Sequence, residues 1–255
     1  MNSIQKIFQN KEKDLLSIYF TSGFPELNDT TKVIAELSNS GVDFIEVGLP
    51  YSDPLADGPT IQDSSQIALK NGINLDVVFD QLMTVKENNK APLVLMGYLN
   101  QVLKYGEEKF CKKMVACGID TVILPDLPMV EYENHYKALF EKYGINNVFL
   151  ITPLTSEERI RKIDSYTQSF IYMVASSSIT GAKGEISQQQ INYFERIKSM
   201  NLTSKLIIGF GISNHETFTK ACKYGNGAII GSAFIRFLDE HGVQRIGHFV
   251  ESIKK

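Results

Sequence analysis

Eight short apolar runs, rich in β-branched and aromatic residues, recur along the chain: LLSIYF (15–20), DFIEVG (43–48), PLVLMG (92–97), DTVILPD (120–126), NVFLIT (147–152), SFIYMVA (169–175), KLIIGFG (205–211) and GAIIGSA (227–233). Their hydrophobicity is nearly continuous rather than alternating, which is what strands buried on both faces of a parallel sheet require. Between them lie amphipathic stretches at helical spacing, for example 27–41, 106–118, 131–144 and 214–225, several ending in glycine as helices commonly do. The repeating unit is strand, loop, helix. Eight such units, undivided by a Pro/Ser-rich linker, predict an α/β protein with one (β/α)₈ (TIM) barrel domain over residues 1–255. An open, doubly wound sheet is the alternative, because a sequence does not display closure. A length of 255 residues suits a barrel of this kind. Ile4, Ile7 and Phe8, at helical spacing, predict a short N-terminal helix packed on the body.

Composition narrows the partners. With a net charge of −3 and its Lys and Arg scattered, the chain has no electrostatic footprint for nucleic acid or an anionic membrane surface. No segment approaches a membrane-spanning run, and the first residues lack the apolar core of an export signal. Cys111, Cys117 and Cys222 fall in helical segments without the spacing of a metal site. The expectation is a reduced, cytoplasmic protein acting on a small molecule or a protein partner.

In a barrel, chemistry belongs where strands end and βα loops begin. Glu46 sits inside the apolar run DFIEVG, where a carboxylate is costly to bury. If it points into the mouth, burial raises its proton affinity into a range useful for proton transfer. The bland reading, a buried Glu satisfied by polar neighbours, stays open. Eleven residues on, Asp57 lies in a loop stiffened by Pro54 and Pro59, so a second carboxylate can face the first; Asp53 and Asp57 also suit plain turn roles. The intervals after strands two and six are long, and the second holds SSSITGAKGEIS, so both read as long functional loops. Gly211, Gly231 and Ser232, after strands seven and eight, are phosphate candidates, with Gly181 able to close over the same group. The predicted strand ends carry no lysine for a Schiff base, and His135, His215, His241 and His248 fall in helices or their caps. No metal site is expected, so carbon–carbon bond chemistry here would run on acids and bases.

These residues carry a resemblance. EVGLPYSDPLADGPTIQ (46–62), followed in order by DLP, ITGAKG, GFGIS and GSAF and preceded by YFTSGFP, resembles the tryptophan synthase alpha chain family, a (β/α)₈ barrel, over the whole chain. The resemblance implies reversible cleavage of indole-3-glycerol phosphate to indole and glyceraldehyde 3-phosphate in tryptophan synthesis, with no cofactor of the chain's own. It implies that Glu46 is the general acid and base and that Asp57 stabilises positive charge at the indole nitrogen. Tyr172 would stand near Glu46; Tyr19, Met96, Tyr98, Ile123 and Phe210 would line the indole pocket; Thr180 would hydrogen-bond the loop carrying Asp57. The expected partner is a tryptophan synthase beta chain in an α₂β₂ assembly, the pyridoxal phosphate belonging to that partner, with Asp53 and Pro54 near it. Many family members carry an Arg in the lid where this chain has Ser176 to Ser178, and Gly97 and Pro125 also differ from some relatives. Two other readings use the same residues: a lyase acting alone and releasing free indole, and a catalytically weak subunit that regulates its partner.

Overall fold

The computed structural model describes residues 1–175, 187–209 and 211–255. Eight parallel strands close into a barrel in the order in which they occur in the chain. They are β1 (Leu15–Thr21), β2 (Phe44–Gly48), β3 (Leu93–Met96), β4 (Thr121–Ile123), β5 (Asn146–Ile151), β6 (Phe170–Val174), β7 (Lys205–Gly209) and β8 (Gly227–Ile230). Closure rests on β1 pairing with both neighbours, Tyr19 opposite Glu46 on β2 and Leu16 opposite Ala228 on β8. Each of the eight apolar runs contains one strand, and the open sheet is ruled out.

Side chains alternate between two cores, as the strand period of two demands. One face of every strand packs outward beneath the helices, with Phe20, Ile45, Leu95, Val122, Phe149 and Ile171 among its members. The other face fills the barrel with a separate cluster that includes Leu15, Tyr19, Phe44, Val94, Met96, Ile123, Val148, Phe170, Tyr172 and Ile229. The barrel is a packed core, and Glu46 is a carboxylate set among those inward residues.

The N-terminal helix α1 (Ser3–Asn10) closes the floor of the barrel. Ile4 and Phe8 are buried and belong to the interior cluster. Asn2 caps the helix by accepting from Gln5 N and returns a bond from its own amide to Gln168 O. The Ser3 N–H and hydroxyl both donate to Asp120, at 2.7 and 2.6 Å, which bolts α1 to the start of β4.

Three expectations need correction. The interval between β2 and β3 is long because it holds two helices, Pro59–Lys70 and Leu75–Val85, and the loop proper spans only 49–58. Pro59 opens the first, where its missing N–H costs nothing, and Asn74 caps the second by accepting from Val77 N. The stretch 131–144 is not one regular helix: a π-helical turn, Tyr132–Tyr136, interrupts it. The run 120–126 is also mostly loop, its strand ending at Ile123 before the Pro125 turn.

Candidate active site

Glu46 is fully buried on β2, beside Tyr19 in the register. Neither of its carboxylate oxygens has a hydrogen-bond partner among the described residues. Such a group holds its proton tightly: burial, and then the negative charge of Asp57, push it up to about 8. A carboxyl that is protonated near neutrality, yet within reach of ionisation, can give a proton and take one back.

Asp57 occupies the loop after the same strand. Its Oδ2 accepts from the Tyr98 hydroxyl at 2.9 Å, while Oδ1 is buried with no partner among the described residues. Burial pushes its proton affinity up to about 6, and the Tyr98 bond opposes that rise. At neutral pH the two acids therefore differ: Glu46 is mostly protonated and Asp57 mostly ionised. One site thus holds a proton donor and a fixed negative charge.

Tyrosine rings complete the interior end of the site. Tyr19 and Tyr172 are buried, and burial drives both phenols well above their ordinary range, with the Asp57 and Glu46 charges adding to the effect. They stay neutral. Each leans across the end of the next strand, where only a glycine admits it: a Cβ on Gly48 would meet the Tyr19 hydroxyl, and one on Gly209 the Tyr172 hydroxyl. These two glycines carry no signal in the sequence beyond their place at strand ends. Met96 and Ile123 join the same inner cluster from β3 and β4. Tyr98, expected as a pocket wall, is also a brace, since its hydroxyl accepts from Ala56 N at 3.1 Å while donating to Asp57.

At the other side of the mouth, β7 and β8 run in register, with Ile208 opposite Ala228, so the segments that follow them emerge together. Gly211 has φ +81°, a backbone that glycine adopts without strain. Gly231 precedes the helix Ser232–His241, whose first turn has no side-chain cap. Uncapped N–H groups at a helix start favour an anion. Thr180, Gly181 and Phe210, like Ser176 to Ser178, lie outside the described residues. His135, His215, His241 and His248 fall in helices as expected, and no group of His, Cys, Asp and Glu among the described residues could hold a metal ion. No helix among them is long and apolar enough to cross a membrane.

Comparisons with known proteins fit this geometry. Residues 5–253 match the family described as tryptophan synthase alpha chain. The chain is 56% identical to the tryptophan synthase alpha chain of Flavobacterium johnsoniae over all of both chains, and 50% identical to that of Bacteroides thetaiotaomicron over 94% of each. Among solved structures, it is similar to the tryptophan synthase alpha chain of Legionella pneumophila, with TM-score 0.89 and 29% identity, covering 100% of this chain and 96% of that one. With sequence, closed barrel and paired acids in agreement, the chain belongs to the tryptophan synthase alpha chain family.

Proposed function

We propose that the chain is a carbon–carbon lyase that cleaves indole-3-glycerol phosphate reversibly to indole and glyceraldehyde 3-phosphate. The observation that carries this reading is the pair of buried carboxyls at one barrel mouth, Glu46 without any hydrogen-bond partner among the described residues and Asp57 with one oxygen braced and the other open. The retro-aldol step needs such a pair. Glu46 delivers its proton to indole C3, which turns the ring into an electron sink and places positive charge on the ring nitrogen. Asp57, ionised, faces that charge through the nitrogen's N–H. The Glu46 carboxylate then accepts the proton of the glycerol hydroxyl next to the ring as the carbon–carbon bond breaks, its electrons returning to the ring and the new carbonyl leaving as the aldehyde. The acid is regenerated, and no proton is lost from the balance.

Tyr19, Met96, Tyr98, Ile123 and Phe210 would form the apolar wall for the ring, with Tyr172 beside Glu46. The N–H groups around Gly211, Gly231 and Ser232 would hold the phosphate, with Gly181 closing over it and Thr180 hydrogen-bonding the loop that carries Asp57. This chemistry calls for no metal and no organic cofactor in this chain. The protein partner is a tryptophan synthase beta chain, which carries the pyridoxal phosphate and consumes the indole in a cytoplasmic α₂β₂ assembly, with Asp53 and Pro54 near the contact. The test is indole formation from indole-3-glycerol phosphate by the purified chain, wild type and Glu46→Gln, with and without a beta chain. Slow wild-type turnover that rises with the beta chain and disappears in Glu46→Gln is the expected result. No indole under any condition would overturn the assignment.

A further inference from the structure

Asp57 is half-buried, its Oδ1 inaccessible, in a loop whose own contacts do little to aim it. Its backbone N–H donates to Pro54 O, and Gln62 donates to its carbonyl. Its side chain has one described hydrogen bond, to Tyr98. The direction of the carboxylate therefore depends on whatever fixes the Tyr98 ring.

That ring is clamped from outside the pocket. Tyr51, in the first part of the same loop, stacks on it with centroids 5.2 Å apart and planes 28° apart. The Tyr51 hydroxyl accepts from Asn100 Nδ2 at 3.0 Å, and Asn100 lies in the helix Leu99–Tyr105 that follows β3. Gln101 of that helix joins the two segments again, donating to Pro50 O at 2.9 Å while accepting from Tyr98 N at 3.0 Å. Asp126, beyond β4, accepts from Leu99 N and pins the helix start. The clamp is thus anchored at both edges: loop 49–58 supplies Tyr51, and the β3 helix holds its hydroxyl.

We propose that Tyr51 and Asn100 are positioning residues for Asp57, holding the Tyr98 ring so that its hydroxyl braces Oδ2 and leaves Oδ1 to the substrate. Neither touches the carboxylate. Their effect passes through Tyr98, and for catalysis it rests on the lyase reading above. The titratable groups facing Asp57 are Glu46 on β2, Tyr19 on β1, Tyr172 on β6 and Tyr98 after β3, and the protonated Glu46 and the phenols stay in place when Tyr51 is altered. A loosened Tyr98 removes the one contact among the described residues that opposes protonation of Asp57. The carboxyl then protonates at higher pH.

The experiment has two readouts on the full chain. The first is the pH profile of kcat for indole formation with its beta chain, in wild type, Tyr51→Leu, Tyr51→Phe, Asn100→Ala and Tyr98→Phe. Tyr51→Leu should move the acidic limb upward by roughly half a unit and so lower kcat on that limb about threefold, one full unit being tenfold, with KM little changed. Tyr51→Phe keeps the stack, drops the Asn100 bond, and should show a smaller shift of the same sign. Combining Tyr51→Leu with Tyr98→Phe should lose no more than Tyr98→Phe alone, because coupled residues are not additive. The second readout is the carboxyl titration of Asp57 by carbon NMR, assigned with Asp57→Asn, which needs no turnover. A titration that moves upward in Tyr51→Leu supports the clamp even if the wild type forms no indole, an outcome that defeats only the lyase reading. An unmoved titration, or full additivity with Tyr98→Phe, overturns the clamp.

Discussion

The floor and the mouth of this barrel treat acids in opposite ways, and the contrast can be seen within four residues of chain, Asp43 to Glu46. Asp43, just before β2, is paired with Lys11 at 2.8 Å and accepts the Leu16 N–H at 2.7 Å. Asp120, before β4, takes both bonds from Ser3. Glu46, three residues past Asp43, has no such partner among the described residues. A fold that satisfies its carboxylates at one end and strands one at the other is not short of donors. Placing an unpartnered acid costs stability, and it yields a group whose proton can move.

The sharpest way to break the contrast is to neutralise the stranded acid. Glu46→Gln should lower the rate of indole formation by about a thousandfold, within the usual range for a general acid or base, without destabilising the fold. Rate and denaturation measurements on one preparation check both halves. A second effect concerns pH. The Glu46 proton affinity is raised from 4.5 to about 8 by burial, so between those values the unfolded chain has released a proton that the folded one keeps. Stability contributed by the protonated form is therefore complete below about pH 4.5 and is lost as pH rises toward 8, by a few kcal/mol in all. Urea unfolding at pH 5 and pH 8 should show this slope in the wild type and a smaller one in Glu46→Gln, where only Asp57, raised to about 6, still contributes.

At the floor the signs reverse. Asp43→Ala should cost about 2 kcal/mol of stability, the scale of charge-assisted hydrogen bonds, while kcat per folded molecule stays unchanged. The smallest effect is expected at the opposite rim. Ser232→Glu puts a negative charge at the helix start, where it competes with the substrate phosphate. KM should rise about tenfold, a penalty near 1.4 kcal/mol, with kcat preserved; a lowered kcat at constant KM would place the phosphate elsewhere.

Much of this contrast is legible in the sequence. Eight runs of buried-strand character mark the eight strands, and Glu46 stands out because it breaks one of them. Asp57 and the glycines after β7 and β8 follow from loop position and from the resemblance. The supports are another matter. Tyr98 meets Asp57 across 41 residues of sequence, and Tyr51 meets Asn100 across 49. Nothing local encodes those meetings, because they arise only when barrel closure brings neighbouring βα loops side by side. Gly48 and Gly209 are equally silent: each is needed for a tyrosine hydroxyl contributed by the preceding strand. The two helices between β2 and β3 share their interval with the Pro- and Asp-rich loop 49–58, which makes the whole interval read as loop.

The helix α1, remote from the chemistry in sequence and placed at the opposite end of the barrel, also acts as insulation. Ile4 and Phe8 seal the floor under the same apolar column that isolates Glu46 above. Were that seal removed, water entering from below would solvate the column and let Glu46 ionise more readily. The first ten residues thus help set the working pH of a reaction they never touch.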